Sequence, residues 1–502
     1  MIQSIDYAAI ASPLVLALMA GVVLLLDAFL PRTGRTRTTL GLVTLAGVLA
    51  ALAVPAVQAL SGARLRTFCV PAGLSRDPGP PPCSFVVDHL TLVFGAVALA
   101  AGVVVVLLSM AQLAESTIPP GEWYFLLLCT LAGAVTLPAS RDLIMLVIAL
   151  ELVSLPVFAL AALKRYDARG SEAALKMFLV SVVSTAVMLF GVSLLYGLTG
   201  SVHLSAIAAR LAAAPVAPGA SVPPAVPVGV LTVAVVLVLA GFAFKIAAVP
   251  FHFWAGDVYQ GAPVPVAALL SVISKAAGFA GLILVLTTAL AGQARLWGPV
   301  VAVLAALTMT AGNLLALRQR HAVRLLAWSS VAQSGYILAP LGVAGKQAVP
   351  ASVAYLVIYA AMNIGAFAVV AAVSREGGRN ELDDYRGLAF RAPVPALALA
   401  FFLVCLAGLP PGLSGMFAKI VVFREIVAGG AGWLAVVMAV NTVIALYYYI
   451  AWTARLFTPA SAPAPSSASG PAASALTIAI TLGLVASVAF SVAPQLVLSI
   501  AG

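Results

Sequence analysis

The sequence predicts an all-α polytopic membrane protein of about fourteen transmembrane helices. Three observations predict it. Of 502 residues, 63% are hydrophobic and only 8% charged, and the mean hydropathy is +1.14, which no soluble globular domain approaches. Apolar runs of roughly 20 residues, the length that crosses hydrocarbon as a helix, recur along the whole chain. Nearly all lysines and arginines fall between those runs.

In chain order the runs lie near 10–30, 38–60, 89–113, 122–138, 142–163, 172–198, 228–251, 263–290, 297–317, 322–342, 351–374, 394–424, 432–456 and 475–500. The first has no charged segment or small-residue cleavage site before it, so it is expected to be a retained helix and not a signal peptide. A long loop follows the second run. It holds Cys69, Cys83 and several prolines, and in an oxidising compartment a disulfide between the two cysteines would close it. Val202 to Leu211 reads as a short amphipathic piece at the interface, followed by an Ala/Pro loop to Val228. Ala460 to Ala473 reads as a Ser/Ala/Pro linker.

Two runs are interrupted. LAGFAFKIAAVPFHFWAGDVYQ, residues 239–260, places Lys245 in apolar sequence five residues before Pro250, and FFLVCLAGLPPGLSGMFAKIVVF places Pro410 and Pro411 before Lys419. Proline removes a backbone donor, so a helix broken at membrane depth leaves carbonyls for polar groups or water. Paired interruptions in two halves of a chain point to internal repeats with sites at the breaks. The runs divide into an N-terminal three-helix segment (1–121), a five-helix unit (122–290), a second, inverted five-helix unit (291–456), and a linker with a last transmembrane helix (457–502). The broken segment is fourth in each unit.

Charge placement orients the chain. With the N-terminus outside, fourteen basic residues fall in inner connections and eight in outer ones, so both termini are expected outside. The net charge of +10 follows from topology, and no nucleic-acid partner is needed to explain it. Four basic residues remain inside apolar runs, and all are lysines: Lys176, Lys245, Lys275 and Lys419. Lysine can release its proton whereas arginine in practice cannot, so the selection favours groups that titrate.

Glu151 lies in the middle of LIMLVIALELVSLPVFAL and needs a cationic partner, for which Lys245 is the candidate. A static buried ion pair holding two helices together is the bland alternative. Lys275, flanked by Ser271, Ser274 and Gly278, has the place of a central relay, unless a serine or carbonyl merely satisfies it. His252, beside the first break, is a weaker candidate for proton exchange, and Lys176 stands four residues from Glu172 at ion-pair spacing. Asp27, Asp88, Glu172 and Asp257 read as helix-end residues. Clustered cysteines, a GxGxxG turn and a P-loop are all missing, so any catalysis by this chain is transport.

LIMLVIALELVSLPVFAL, EAALKMFLVSVVSTAVMLFGVSLLYGLTGS, GFAFKIAAVPFHFWAGDVYQGAPVPV and NLLALRQRHAVRLLAWSSVAQSGYIL resemble the antiporter-like subunits of proton-pumping NADH:quinone oxidoreductase, respiratory complex I, over about residues 85–455. VYQGAP, the length and the lysine at 419 are most similar to the subunit N branch. The resemblance implies a translocase of the bacterial inner membrane with no cofactor of its own. NADH, FMN, iron–sulfur clusters and quinone are expected in partner subunits, and other membrane subunits and the lipid bilayer are the expected neighbours. It implies that Glu151 and Lys245 interact, that Lys275 is the central lysine, and that Lys419 belongs to the second broken helix; Lys176 also matches a family lysine. Gln333 departs from the pattern, because many relatives have histidine there. A subunit of a cation/proton antiporter and a purely structural membrane subunit stay open as alternatives.

The orientation has a direct check. Cysteines introduced at Arg35 and Arg386 are expected to react only from the cytoplasmic side, and sites in 64–83 only from outside. Labelling of position 35 from outside would reverse the topology.

Overall fold

The computed structural model describes every residue except 1–4, 32, 63, 72–80, 115, 165–166, 213–226, 376–378, 460–470 and 502. Arg32, Arg76, Arg165 and most of the three Pro-containing connections, between Cys69 and Cys83, before Val228 and at 460–473, therefore lie outside the described residues. The N-terminal segment comprises α1 (Ala11–Phe29), α2 (Gly34–Ser61), a hairpin of β1 (Leu65–Cys69) and β2 (Cys83–Val87), and α3 (His89–Leu113). Then come α4 (Pro120–Thr136), α5 (Leu143–Ala162), α6 (Ala168–Thr199), the short α7 (Leu204–Ala212), α8 (Val228–Lys245), α9 (Ala255–Gly261), α10 (Val264–Leu269) and α11 (Lys275–Leu284). The remainder is α12 (Ala294–Ala316), α13 (Ala322–Leu338), α14 (Ala348–Arg375), α15 (Leu388–Arg391), α16 (Pro393–Ala407), α17 (Leu413–Ala428), α18 (Gly432–Leu456), α19 (Pro471–Val492) and α20 (Gln495–Ala501).

Among the described residues, 12 helices are long and apolar enough to cross a membrane. The other two expected spans are α13, with 17 residues, and the divided pair α16 and α17. Three expectations need correction. The two ends of the long loop pair as β strands, because Thr67, Phe85 and Val87 bury one face while Cys69 pairs with Cys83 across the ladder, where the two are joined by a disulfide. The last run is not one helix but stops at Val492, just before Pro494, and resumes as α20. Arg424, expected in a loop, lies exposed within α17.

Isolated bridges mark the two faces of the bundle. Phe85 pairs with Ser140 and Asp142 with His203 on the hairpin face, whereas His321 pairs with Glu381 on the opposite one. Helix starts there are side-chain capped: Asp88 accepts from the Thr91 amide and Asp142 from the Met145 amide. Burial opposes charge on Asp88, but Arg141 and the Thr91 amide outweigh it and hold the carboxyl below the usual carboxylate range. Following the chain between faces, α4 starts opposite the hairpin and α12 starts on the hairpin side. The two broken helices enter from opposite faces, α8 from the hairpin face and α16 from the other.

Close backbone approach depends on glycine at the second break. A Cβ on Gly415 would lie 1.7 Å from the Cys405 carbonyl oxygen, and one on Gly412 would lie 2.5 Å from the Cys405 nitrogen. Rigid backbone cannot yield to either. Gly415→Ala is expected to lower the thermal unfolding temperature of the detergent-solubilised complex sharply, whereas Gly432→Ala, which meets nothing within 4 Å, leaves it unchanged. Equal melting of the two variants would show that α16 and α17 are not held in this contact.

Candidate functional site

The site grows out of the two helix breaks. In α8 the chain turns out of the helix at Ala247 (φ 56°), and its amide bonds Phe244 O while the Ala248 amide bonds Ala243 O. In α16 the same closure forms at Gly408 (φ 83°), with its amide on Cys405 O and the Leu409 amide on Val404 O. Both are Schellman closures, and a proline follows three residues later in each, Pro250 and Pro411. The last carbonyls of the helices are left for side chains. Trp254 Nε1 donates to Phe244 O at 3.3 Å, Ser334 Oγ to Ile246 O at 2.7 Å, and Lys419 Nζ to Ala407 O at 2.7 Å.

The three buried lysines meet neutral oxygens. Lys245, the last residue of α8, donates to Ser154 Oγ of α5 at 2.7 Å. Glu151 lies one turn earlier on α5 and accepts from Thr185 Oγ1 of α6 at 2.6 Å. Glu151 and Lys245 thus address the same turn of α5 without forming a direct ion pair, the direct contact being taken by Ser154. Lys275 follows a π-helical turn, Leu270–Ser274, and donates to the Ser330 carbonyl and to Ser334 Oγ of α13. A second π turn, Val285–Ala289, closes its helix, and such bulges recur where helices are shaped for a site. Lys419 faces the Tyr336 ring at 5.4 Å.

Between Lys275 and Lys419 lie two separate buried hydrogen-bonded groups of hydroxyls and amides. Tyr359 donates to Ser330 Oγ at 2.8 Å, and Tyr355, one turn away on α14, donates to Gln333 Oε1 at 2.7 Å. Gln333 Nε2 donates to Tyr449 of α18 at 3.3 Å, which also pairs with Ser329 at 2.5 Å. Tyr355 stacks on Tyr336, whose hydroxyl accepts from Asn313. Gln333, which departs from the resembled pattern, is thus an amide with both ends engaged. None of Ser154, Ser330, Ser334, Tyr355, Tyr359 or Tyr449 was singled out from the sequence. Polar residues inside apolar runs, dense in SSVAQSGY, were the available signal.

Two weaker candidates lie away from this line. Lys176 is not buried: it is 45% exposed and pairs with Glu172 at 2.7 Å and with Asp257 at 3.0 Å, and Asp257 also binds Arg324. Glu172 and Asp257 are thus ion-paired helix ends. His252 lies in the first break with its ring edge-on to Trp328, centroids 5.8 Å apart. Among the described residues no group of three His, Cys, Asp or Glu side chains is placed to hold a metal.

Residues 140–445 match the family described as NADH:quinone oxidoreductase/Mrp antiporter, TM. A NADH-quinone oxidoreductase subunit N 2 of Streptomyces griseus is 51% identical, covering 100% of this chain and 94% of the relative. The NADH-quinone oxidoreductase subunit N of Salinispora tropica is 43% identical over 91% of this chain and 86% of its own. Among solved structures, a chain of respiratory complex I from Thermus thermophilus with bound aureothin superposes with TM-score 0.75 at 31% identity, covering 97% of this chain and 98% of that one. A chain of the Mrp complex from Dietzia superposes at 0.81 with 22% identity, covering 98% and 96%, a likeness of fold alone.

The amide bridge has a stability consequence. Tyr355→Phe leaves Gln333 Oε1 buried without its donor, which costs about 1–3 kcal/mol and is expected to lower the melting temperature of the complex. Adding Gln333→Met removes the orphaned acceptor and is expected to recover part of the loss. A double variant no more stable than the sum of the single losses would argue against coupling between the two.

Proposed function

The chain belongs to the NADH-quinone oxidoreductase subunit N family, the antiporter-like membrane subunits of respiratory complex I, and from that premise we propose that it moves protons through the line of Glu151, Lys245, Lys275 and Lys419. One observation carries the reading. Lys275 and Lys419 are buried at membrane depth with serine hydroxyls and backbone carbonyls as partners and no carboxylate beside them, and Lys245 bonds Ser154 with Glu151 one turn away. A fixed cation in such a place would require an anion, whereas lysine can give its proton away. The two groups of hydroxyls and amides on α13, α14 and α18 lie between the second and third lysines, and water would have to join them for a proton to pass.

In this reading the two five-helix units, 122–290 and 291–456, each provide one broken helix, and the three N-terminal helices and the C-terminal segment enclose them. Both termini lie outside. NADH oxidation and quinone reduction, with their FMN and iron–sulfur clusters, belong to partner subunits, and this chain contributes the transfer of charge. Moving one charge across 100 mV involves about 2.3 kcal/mol, so the protonation of a single lysine is an event of the right size to gate transfer.

The test is NADH-driven proton uptake in sealed membrane vesicles, normalised to assembled complex. Lys275→Ala removes the proton site and Lys275→Arg keeps the charge but prevents release. Both are expected to assemble and to lose pumping. Full pumping with arginine would make Lys275 an electrostatic anchor and overturn its role as a relay.

A further inference from the structure

We infer that Ser334 is a positioning residue that reports the charge state of Lys275 to the helix break beside Lys245. Its hydroxyl lies 2.5 Å from Lys275 Nζ and 2.7 Å from the Ile246 carbonyl, with the Ser330 carbonyl of its own helix at 3.1 Å. Ile246 follows Lys245 directly and caps α8. Among the described residues Ser334 is the one donor that reaches its carbonyl. Ser334 is fully buried, so no bulk water competes for these bonds.

The chemistry of the three groups makes this a two-position device. A protonated lysine has three donors and no acceptor, so its ammonium requires the serine oxygen as acceptor and turns the serine proton toward Ile246. The Ser330 carbonyl already accepts from the same ammonium and lies farther from the hydroxyl, 3.1 Å against 2.7 Å, which makes Ile246 the favoured direction. A neutral amine has a lone pair. The serine proton then has a second acceptor in Lys275 itself, and when it turns there the Ile246 carbonyl loses its donor at the end of α8. An unpaired carbonyl at that depth is unfavourable, so the break beside Lys245 rearranges or takes up another donor.

Packing makes the signal local. A Cβ on Gly278, one turn beyond Lys275, would lie 2.9 Å from Ile246 Cγ2 and 3.0 Å from Lys245 Cγ, so the two lysine-bearing helices touch with nothing between them. The Tyr359 ring closes the other side, 5.8 Å from Lys275 Nζ. Among the described residues Ser334 is the one hydroxyl hydrogen-bonded to both Lys275 and the first break.

This inference rests on Lys275 exchanging protons, and the experiment separates the two claims. Complexes carrying Ser334→Thr, Ser334→Cys, Ser334→Ala and Lys275→Ala are compared in sealed vesicles by protons moved per NADH oxidised, each normalised to assembled complex. Thr keeps the hydroxyl, Cys keeps the size but bonds weakly, and Ala has neither. Ser334→Cys and Ser334→Ala are expected to fall about tenfold while Ser334→Thr stays near the unmutated ratio. The cysteine variant decides, because it preserves packing. If it pumps normally, or if threonine is the worst of the three, the role is steric and the inference fails. If Ser334→Ala pumps normally while Lys275→Ala does not, the relay stands and the reporter is wrong. Normal pumping by Lys275→Ala overturns both.

Discussion

Hydrocarbon offers no hydrogen bonds, and the structure is shaped by that constraint at the two points where helices stop halfway across. Each stop exposes carbonyls that a lipid-facing segment has no means of satisfying. The chain answers with donors from neighbouring elements: the Trp254 indole and the Ser334 hydroxyl at the end of α8, and the Lys419 ammonium at the end of α16. Breaking the helices therefore draws polar side chains to the midplane. The same carbonyls that make the breaks costly give buried lysines their partners.

The helix that meets most of these demands carries no charge at membrane depth. α13 is buried along nearly its whole length, and it holds Lys275 through Ser330 and Ser334, the first break through Ser334, and Lys419 through the face of Tyr336. It approaches α12 at backbone distance, because a Cβ on Gly312 or Gly335 would collide with the main chain of Ala332 or Met309. Ser329, Ser330, Gln333 and Tyr336 of α13 are bonded by Asn313 of α12, Tyr355 and Tyr359 of α14 and Tyr449 of α18. A network so enclosed is stable only if nearly every member is paired.

Charged pairs, by contrast, stay at the two faces. Asp88 with Arg141 ties the hairpin end of α3 to the turn before α5, and Asp257 joins Lys176 to Arg324 at the start of α9, on the opposite face. These are partly exposed, and screened pairs of this kind contribute little stability. Their value lies in fixing where short segments such as α9 end. The division is physical: full ion pairs where water reaches, and lysines on neutral oxygens where it does not.

By itself the sequence determined the class, the number of spans to within their edges, both helix breaks and the lysines at them, because each of these is written locally. Composition, runs of about 20 apolar residues and prolines inside them act without reference to distant parts of the chain. The resemblance in four motifs was equally local, and it led to the family. What only the tertiary structure decided is who touches whom. Charge complementarity pointed Lys245 at Glu151, yet a serine one turn away on the same helix takes the contact, since reach and rotamer decide between neighbours three residues apart. Lys176 looked buried by hydropathy but stands at an exposed edge, because a helix has one buried face and hydropathy does not say which. Nothing in the local sequence sets apart the tyrosines of α14 and α18. Their hydroxyls became a site only when the fold brought Gln333 and Ser330 within hydrogen-bond reach.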